Sequence, residues 1–268
     1  MSMLLKPLND NQQVEIWEFA SSVNAQERAI ALAEAFVSIT VVSKLPEWTV
    51  AGRDHLLLLA YQLQFGDAIS VEGRCAECDA KNQLGFSASQ ILGLASTELY
   101  NAWNAQTGTI DTDVYLPRYG EITVRGLQCR FRLPCMGDLR ALEYADDPLL
   151  LFAQRVINPV DFAAIKEVFS AMEDSKTAWE QLFTDLEDAM LALEPLSIVT
   201  LNASCPECGA ETAHQFDIAH QFWAQLSANV EKQLWDVHLL ASAYGWSSQD
   251  ILGMSPARRR RHIAMIIE

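Results

Sequence analysis

The chain has 268 residues, is half hydrophobic in composition, and carries a formal net charge of −16. That size and apolar content suit one large domain or two small ones with a real core, and the acidic balance repels a phosphate backbone unless a basic patch is segregated. No apolar run reaches the roughly 18 residues of a membrane span, and Asn9, Asp10 and Asn11 interrupt the opening MSMLLKPLNDNQQ too early for a signal peptide.

These features predict a cytoplasmic, unprocessed chain, in which six cysteines point to metal binding or buried thiols rather than disulfides. In chain order, VEIWEF is ambiguous between strand and helix. NAQERAIALAEAFVSIT has helical periodicity, with Asn24 as its cap and Ala29, Leu32, Ala33 and Phe36 at helical spacing, and KLPEW breaks it. Ala51–Gly66 is apolar nearly all round, which predicts a buried helix terminated by Gly66. His55 beside Asp54 points elsewhere on such a helix and is read as structural.

Asp67–Arg74 alternates like a strand and leads into Cys75-Ala-Glu-Cys78. A polar turn, a short strand around Leu84–Phe86 and a helix start at Ser87 follow. Ser197–Ser204, rich in β-branched residues, leads in the same way into Cys205-Pro-Glu-Cys208, a polar turn, a strand at His214–Phe216 and a helix start at Asp217. Strand, Cys-x-x-Cys, strand, helix therefore occurs twice.

Between the copies lie strand-like runs (TIDTDVYLP, GEITVRGL, CRFRLP), with Arg118–Gly120 read as the turn joining the first two. A helical half begins at MGDLRALEYADD, and Pro159 to Leu193 reads as helix, with Trp179, Leu182, Phe183, Leu186, Met190 and Leu193 on one stripe. Glu187 and Asp188 are adjacent rather than convergent, so no paired-carboxylate site is expected. The second copy continues into one long helix, with Phe222, Leu226, Val230, Leu234, Val237, Leu240 and Ala241 on its core stripe and Gly245 at its end. Ser247 then caps a short helix, and Ser255 with Pro256 starts the last one, which carries Arg258, Arg259, Arg260 and Arg261.

Two thiolates two residues apart in a tight turn approach one ion from the same side, and Zn²⁺ takes four such ligands. Cys75, Cys78, Cys205 and Cys208 are therefore expected to form one closed zinc site. A redox pair would instead open a helix after a strand. Cys129 and Cys135 fit no ligand spacing and read as core, and His214 and His220 are not needed as ligands. No dinucleotide, P-loop, nucleophile-elbow or zinc-protease motif occurs, so the reading is non-enzymatic. The four arginines occupy every face of one turn. They read as solvated cations pairing with acidic helices, or as a surface for an anionic partner.

The closing stretch DVHLLASAYGWSSQDILGMSPARRRRHI resembles the signature of the T-even-type baseplate hub assembly chaperone family of contractile-tail phages and phage-like injection systems. GRDHLLLLAYQLQFGDAISVEGRCAEC, FRLPCMGDL and SCPECGAETAHQFDIAHQFW are similar to it as well, so the likeness runs from about Gly52 to His262. The resemblance implies a non-enzymatic protein in baseplate hub assembly, as assembly chaperone or resident component, with hub or spike proteins as partners and a place in the cytoplasm or the assembled particle. It makes Tyr244, Trp246, Arg258, Arg259, Arg260 and Arg261 candidates for a partner-facing surface. The alternative is a nucleic-acid-binding zinc ribbon using the arginine cluster.

The expected fold is α+β, mostly helical, with a split four-cysteine zinc ribbon and a small β insertion. Its parts are an N-terminal helical region (1–66), a first knuckle (67–90), a β-then-helical insertion (91–196), a second knuckle (197–217) and C-terminal helices (218–268).

Overall fold

The structure, a computed structural model, describes residues 2–267, apart from the side chains of Ile39 and Thr40. After a short strand, β1 (Ser2–Leu4), the ambiguous VEIWEF segment lies in a helix, α1 (Asp10–Ser21). A reciprocal cap decides this: Asn9 accepts from the Gln12 amide, and Gln12 accepts from the Asn9 amide. Asn24 caps α2 (Ala25–Glu34). The single helix expected to run on to Thr40 instead stops at Glu34, and Ser38, with extended backbone angles, restarts it as α3 (Ile39–Val42). The restart falls in a run of β-branched residues, whose stiff side chains weaken a continuous helix. Thr49 then caps α4 (Val50–Phe65), which is buried all round its middle and stopped by Gly66 at φ +92°.

The first Cys-x-x-Cys lies between β2 (Ala68–Arg74) and β3 (Lys81–Ser87), an antiparallel hairpin followed by α5 (Ala88–Leu92) and α6 (Thr97–Tyr100). Strands β4 (Trp103–Asn104) and β5 (Thr109–Asp111) join β1 in a small antiparallel sheet of order β1-β5-β4. Only the first three residues of TIDTDVYLP are strand. Asp111 caps a 3₁₀ turn over Thr112–Tyr115.

The sequence placed a turn at Arg118–Gly120, but Tyr119 and Gly120 already belong to β6 (Tyr119–Val124), paired with β7 (Leu127–Arg132). The turn is Arg125–Gly126, both at positive φ (50° and 81°), the backbone signature of a tight two-residue hairpin. Helices α7 (Met136–Leu142), α8 (Pro148–Val156), α9 (Pro159–Ser170) and α10 (Ser175–Leu193) follow. The continuous helix expected from Pro159 to Leu193 is thus two helices. Asp174, at the break, forms an ion pair of 2.8 Å with Arg125 in the hairpin turn and ties the two together.

The second Cys-x-x-Cys joins β8 (Val199–Ser204) to β9 (Glu211–Phe216), and α11 (Ile218–Tyr244), α12 (Ser248–Leu252) and α13 (Pro256–Ile267) complete the chain. The architecture is α+β. Among the described residues, no helix is long and apolar enough to cross a membrane.

Two cores organise these elements. The larger buries Leu32, Trp48, Leu56, Tyr115, Phe222 and Leu226 between the N-terminal helices, α4 and α11, and both cysteine hairpins rest on it through Ile69, Val199 and Phe216. The smaller buries Val124, Phe131, Ile165, Phe169, Leu182 and Leu186 between the β6–β7 hairpin and α8–α10. Leu99, Ala102, Ile110 and Tyr115 belong to the larger core, so the segment before Tyr119 packs with the N-terminal body rather than with the rest of the insertion.

The stripe on α11 also departs from expectation. Phe222, Leu226, Val230 and Leu240 are buried, but Gln233 is buried where Leu234 was expected, and Leu234 is 40% exposed. A 3.6-residue helix drifts relative to a simple repeat, and here the inward position after Val230 falls on Gln233. The amide groups of Asn229 and Gln233 both donate to the Gln13 side-chain oxygen, at 2.6 and 3.1 Å, so a polar contact joins α1 to α11 at that level.

Candidate metal centre

The two cysteine hairpins are copies of one design at a constant offset, Cys75 matching Cys205 and Cys78 matching Cys208. Their registers agree position for position: Ile69 pairs with Phe86 as Val199 pairs with Phe216, and Arg74 with Lys81 as Ser204 with Glu211. Both turns close alike. The Cys75 amide donates to Ala80 O and the Asp79 amide to Cys75 O, each at 3.0 Å, while Cys205 to Ala210 and Gly209 to Cys205 repeat the pattern at 2.8 Å. The turn needs a left-handed residue after its second cysteine, supplied by Gly209 (φ 75°) in one copy and by Asp79 (φ 56°) in the other. Asp79 is one of the few side-chain types that tolerate this, and it also pairs with Arg74 at 2.8 Å.

The copies face each other about a local twofold relation, so equivalent residues meet. The rings of Phe86 and Phe216 pack edge to face at 5.1 Å. The sulfurs pair crosswise, Cys75 with Cys208 at 3.6 Å and Cys78 with Cys205 at 3.7 Å, and all four ligand atoms lie within 4.8 Å of one another. Such separations are far beyond a disulfide bond of about 2.05 Å. They suit four sulfurs around one ion. Cys75 and Cys205 are buried, and Cys78 and Cys208 are exposed.

Four thiols this close cannot all ionise without a cation among them, and their proton affinities diverge. Hydrogen bonding by the Cys208 and Glu207 amides, with the Cys78 thiol and Asn82 contributing, lowers Cys205 to about 6. At Cys78 the Ala80 amide favours the thiolate, but the neighbouring thiols and burial outweigh it and push the group up to about 12. A divalent ion reverses this repulsion.

The surroundings fit such a centre. Asn82, 4% exposed, sits with its amide 3.7 Å from Cys205 Sγ, while its Nδ2 has no partner. Turning that amide over directs the orphaned N–H at the sulfur, the contact a thiolate requires. At the matching position in the second hairpin, Thr212 donates to Ala203 O at 2.9 Å. A Cβ on Gly73 would lie 2.7 Å from the His214 ring, so glycine lets the two hairpins close on each other. His214 bonds Thr212 at 3.1 Å, and neither it nor the exposed His220 joins the sulfur cluster. Asn82 and Gly73 escaped the reading from sequence. Their only signal was position: Gly73 lies two residues before Cys75, and Asn82 pairs with it across the hairpin.

The remaining cysteines lie in the interior. Burial raises Cys129 to about 11, and burial with the nearby Asp138 carboxylate raises Cys135. Both are unreactive thiols in consequence. His55 shares a 2.9 Å hydrogen bond with the Tyr115 hydroxyl, and desolvation lowers its pKa to about 4, which keeps the imidazole neutral.

At the C-terminus, Tyr244 stacks on Trp246 at 4.6 Å and both rings meet His262 edge on, so the aromatic turn clasps α13. Gly245 provides the left-handed cap at φ 67°. Arg258, Arg260 and Arg261 are exposed. Arg259 is not: it is 3% exposed and pairs with Asp10 at 2.5 Å and Asp236 at 3.4 Å. The expected surface therefore loses Arg259, which the neighbouring acidic residues draw inward to dock the last helix.

Compared with protein-family models, with curated proteins and with solved structures, the chain matches none.

Proposed function

We propose that Cys75, Cys78, Cys205 and Cys208 hold one structural zinc ion, in a split ribbon whose halves are the two hairpins. The observation that carries this is the crosswise pair of 3.6 and 3.7 Å sulfur separations. A tetrahedron with Zn–S bonds of about 2.3 Å has edges of about 3.8 Å. Four cysteine sulfurs fill such a shell and leave no position for substrate, so the ion acts on folding rather than on chemistry. It would hold together two hairpins that lie far apart in the chain, with Asn82 donating to the Cys205 thiolate.

For the protein as a whole we propose a non-enzymatic role in assembling the baseplate hub of a contractile tail, as an assembly chaperone or a resident component. Support comes from the resemblance of the Tyr244–Gly245–Trp246 turn, the arginine-bearing last helix, the leucine-rich α4 and the two Cys-x-x-Cys hairpins to that family. Arg258, Arg260 and Arg261, with the Tyr244–Trp246 stack beside them, are the candidate contact surface.

The test is native mass spectrometry of the chain co-expressed with hub and spike proteins of a contractile tail. One zinc per chain and a complex with a hub or spike protein are expected. A zinc-free chain overturns the site, and one that ignores every tail protein overturns the assembly role. Salt-sensitive retention on DNA would favour nucleic-acid binding through the arginines instead.

A further inference from the structure

The outer face of α11 carries an apolar patch that packs on nothing. Trp235 is 65% exposed, the one exposed tryptophan of seven, and Leu234 beside it is 40% exposed. Glu231 and His238 flank the pair, both exposed, with the His238 ring edge-on to Trp235 at 5.7 Å. Together these four side chains line a shallow, mostly apolar hollow of about 390 Å³. Burying Gln233 is what turns Leu234 and Trp235 outward.

The order of these residues is symmetric. Glu231, Leu234, Trp235 and His238 fall at i, i+3, i+4 and i+7, so they share one helix face, and reversing the helix returns the same spacing. An antiparallel copy centred between Leu234 and Trp235 sets apolar against apolar in the middle. At each end it sets the Glu231 carboxylate opposite the His238 imidazole of the other chain, which donates an N–H. A twofold interface must be self-complementary in this way, residue i meeting j and j meeting i. In a chain of net charge −16, a surface that offers its own acid a histidine partner is a specific arrangement.

We propose that this face of α11 is a homodimer interface. Two copies pack antiparallel through α11, with Trp235 of each chain set against Leu234 of the other about the twofold axis and Glu231 of each chain bonded to His238 of the other. Buried aromatic anchors surrounded by polar pairs are what carry binding at such interfaces. The inference is independent of the zinc site and of the assembly role.

Sedimentation equilibrium of the full-length protein across a concentration series tests it. The parent chain is expected to dimerise, and Trp235→Ala to weaken the dimer by about a hundredfold while leaving the far-ultraviolet dichroism unchanged, and the melting unchanged at concentrations low enough that both chains are monomeric, as truncation of an exposed side chain should. His238→Glu, which sets carboxylate against carboxylate twice, is expected to weaken dimerisation. The double variant Glu231→Lys/His238→Glu restores opposite charges across the axis and should recover it. A parent chain that stays monomeric at every concentration overturns the proposal, even if another protein binds at Trp235. So does a dimer indifferent to Trp235→Ala, and a double variant no better than His238→Glu overturns the antiparallel register.

Discussion

Replacing Cys75 and Cys205 by serine, singly and together, tests whether the two hairpins share one site. The 126 residues between Cys78 and Cys205 are closed into a loop when one ion bridges the hairpins. By the chain-entropy estimate, a cross-link over about 130 residues removes about 5 kcal/mol from the unfolded ensemble. The hairpins also rest on a common core and meet through Phe86 and Phe216, so part of the closure is held without the ion. Each single variant is therefore expected to lose about 3–5 kcal/mol. Removing one ligand leaves three thiols that no longer form a closed shell, so the second substitution removes little that remains. The double variant should cost about as much as either single one, giving a coupling energy nearly equal to a single loss. Cys129→Ser in the smaller core is the control, and its cost should add to that of Cys75→Ser. Urea titrations of all five variants, with metal content measured on the same samples, read the cycle. Additive losses for Cys75→Ser and Cys205→Ser would show that the two pairs act separately and refute the shared site.

Three further outcomes are expected. Gly73→Ala places a methyl group against the His214 ring and should cost about 1–2 kcal/mol in a denaturant titration, whereas Gly85→Ala, with open space around it, should cost less than about 1 kcal/mol. Arg259→Ala leaves Asp10 and Asp236 without their shared cation and should cost about 3 kcal/mol, with loosening of α13 visible by hydrogen exchange, while Arg258→Ala on the exposed side of the same turn should be nearly silent. His55 titrates near 4 in the folded chain and near 6.5 when unfolded, so its contribution is complete above about pH 6.5 and is lost as the pH falls through 4. On the order of 3 kcal/mol is at stake, and His55→Gln should flatten that part of the stability profile relative to the parent.

The sequence alone determined what local chemistry controls. Asn24, Ser247 and Gly245 mark helix ends in the chain as they do in the fold, because a cap is made within one turn. The doubled strand–Cys-x-x-Cys–strand–helix was legible for the same reason, each half being a local hairpin. That the halves belong together also followed, since a closed four-thiolate metal shell would take four sulfurs and each copy offers two.

Tertiary structure decided what depends on partners far along the chain. The Arg118–Gly120 turn was misplaced because Tyr119 pairs with Arg132 and Gly120 fits beneath Phe131, contacts invisible in a window of residues. Arg259 was read as solvated because Asp10 and Asp236, its partners, lie far from it in sequence. Gln233 took the inward place of Leu234, where its amide N–H donates to Gln13 on α1. Periodicity gives the faces of a helix, but which polar group turns inward is settled by the groups the fold brings to meet it.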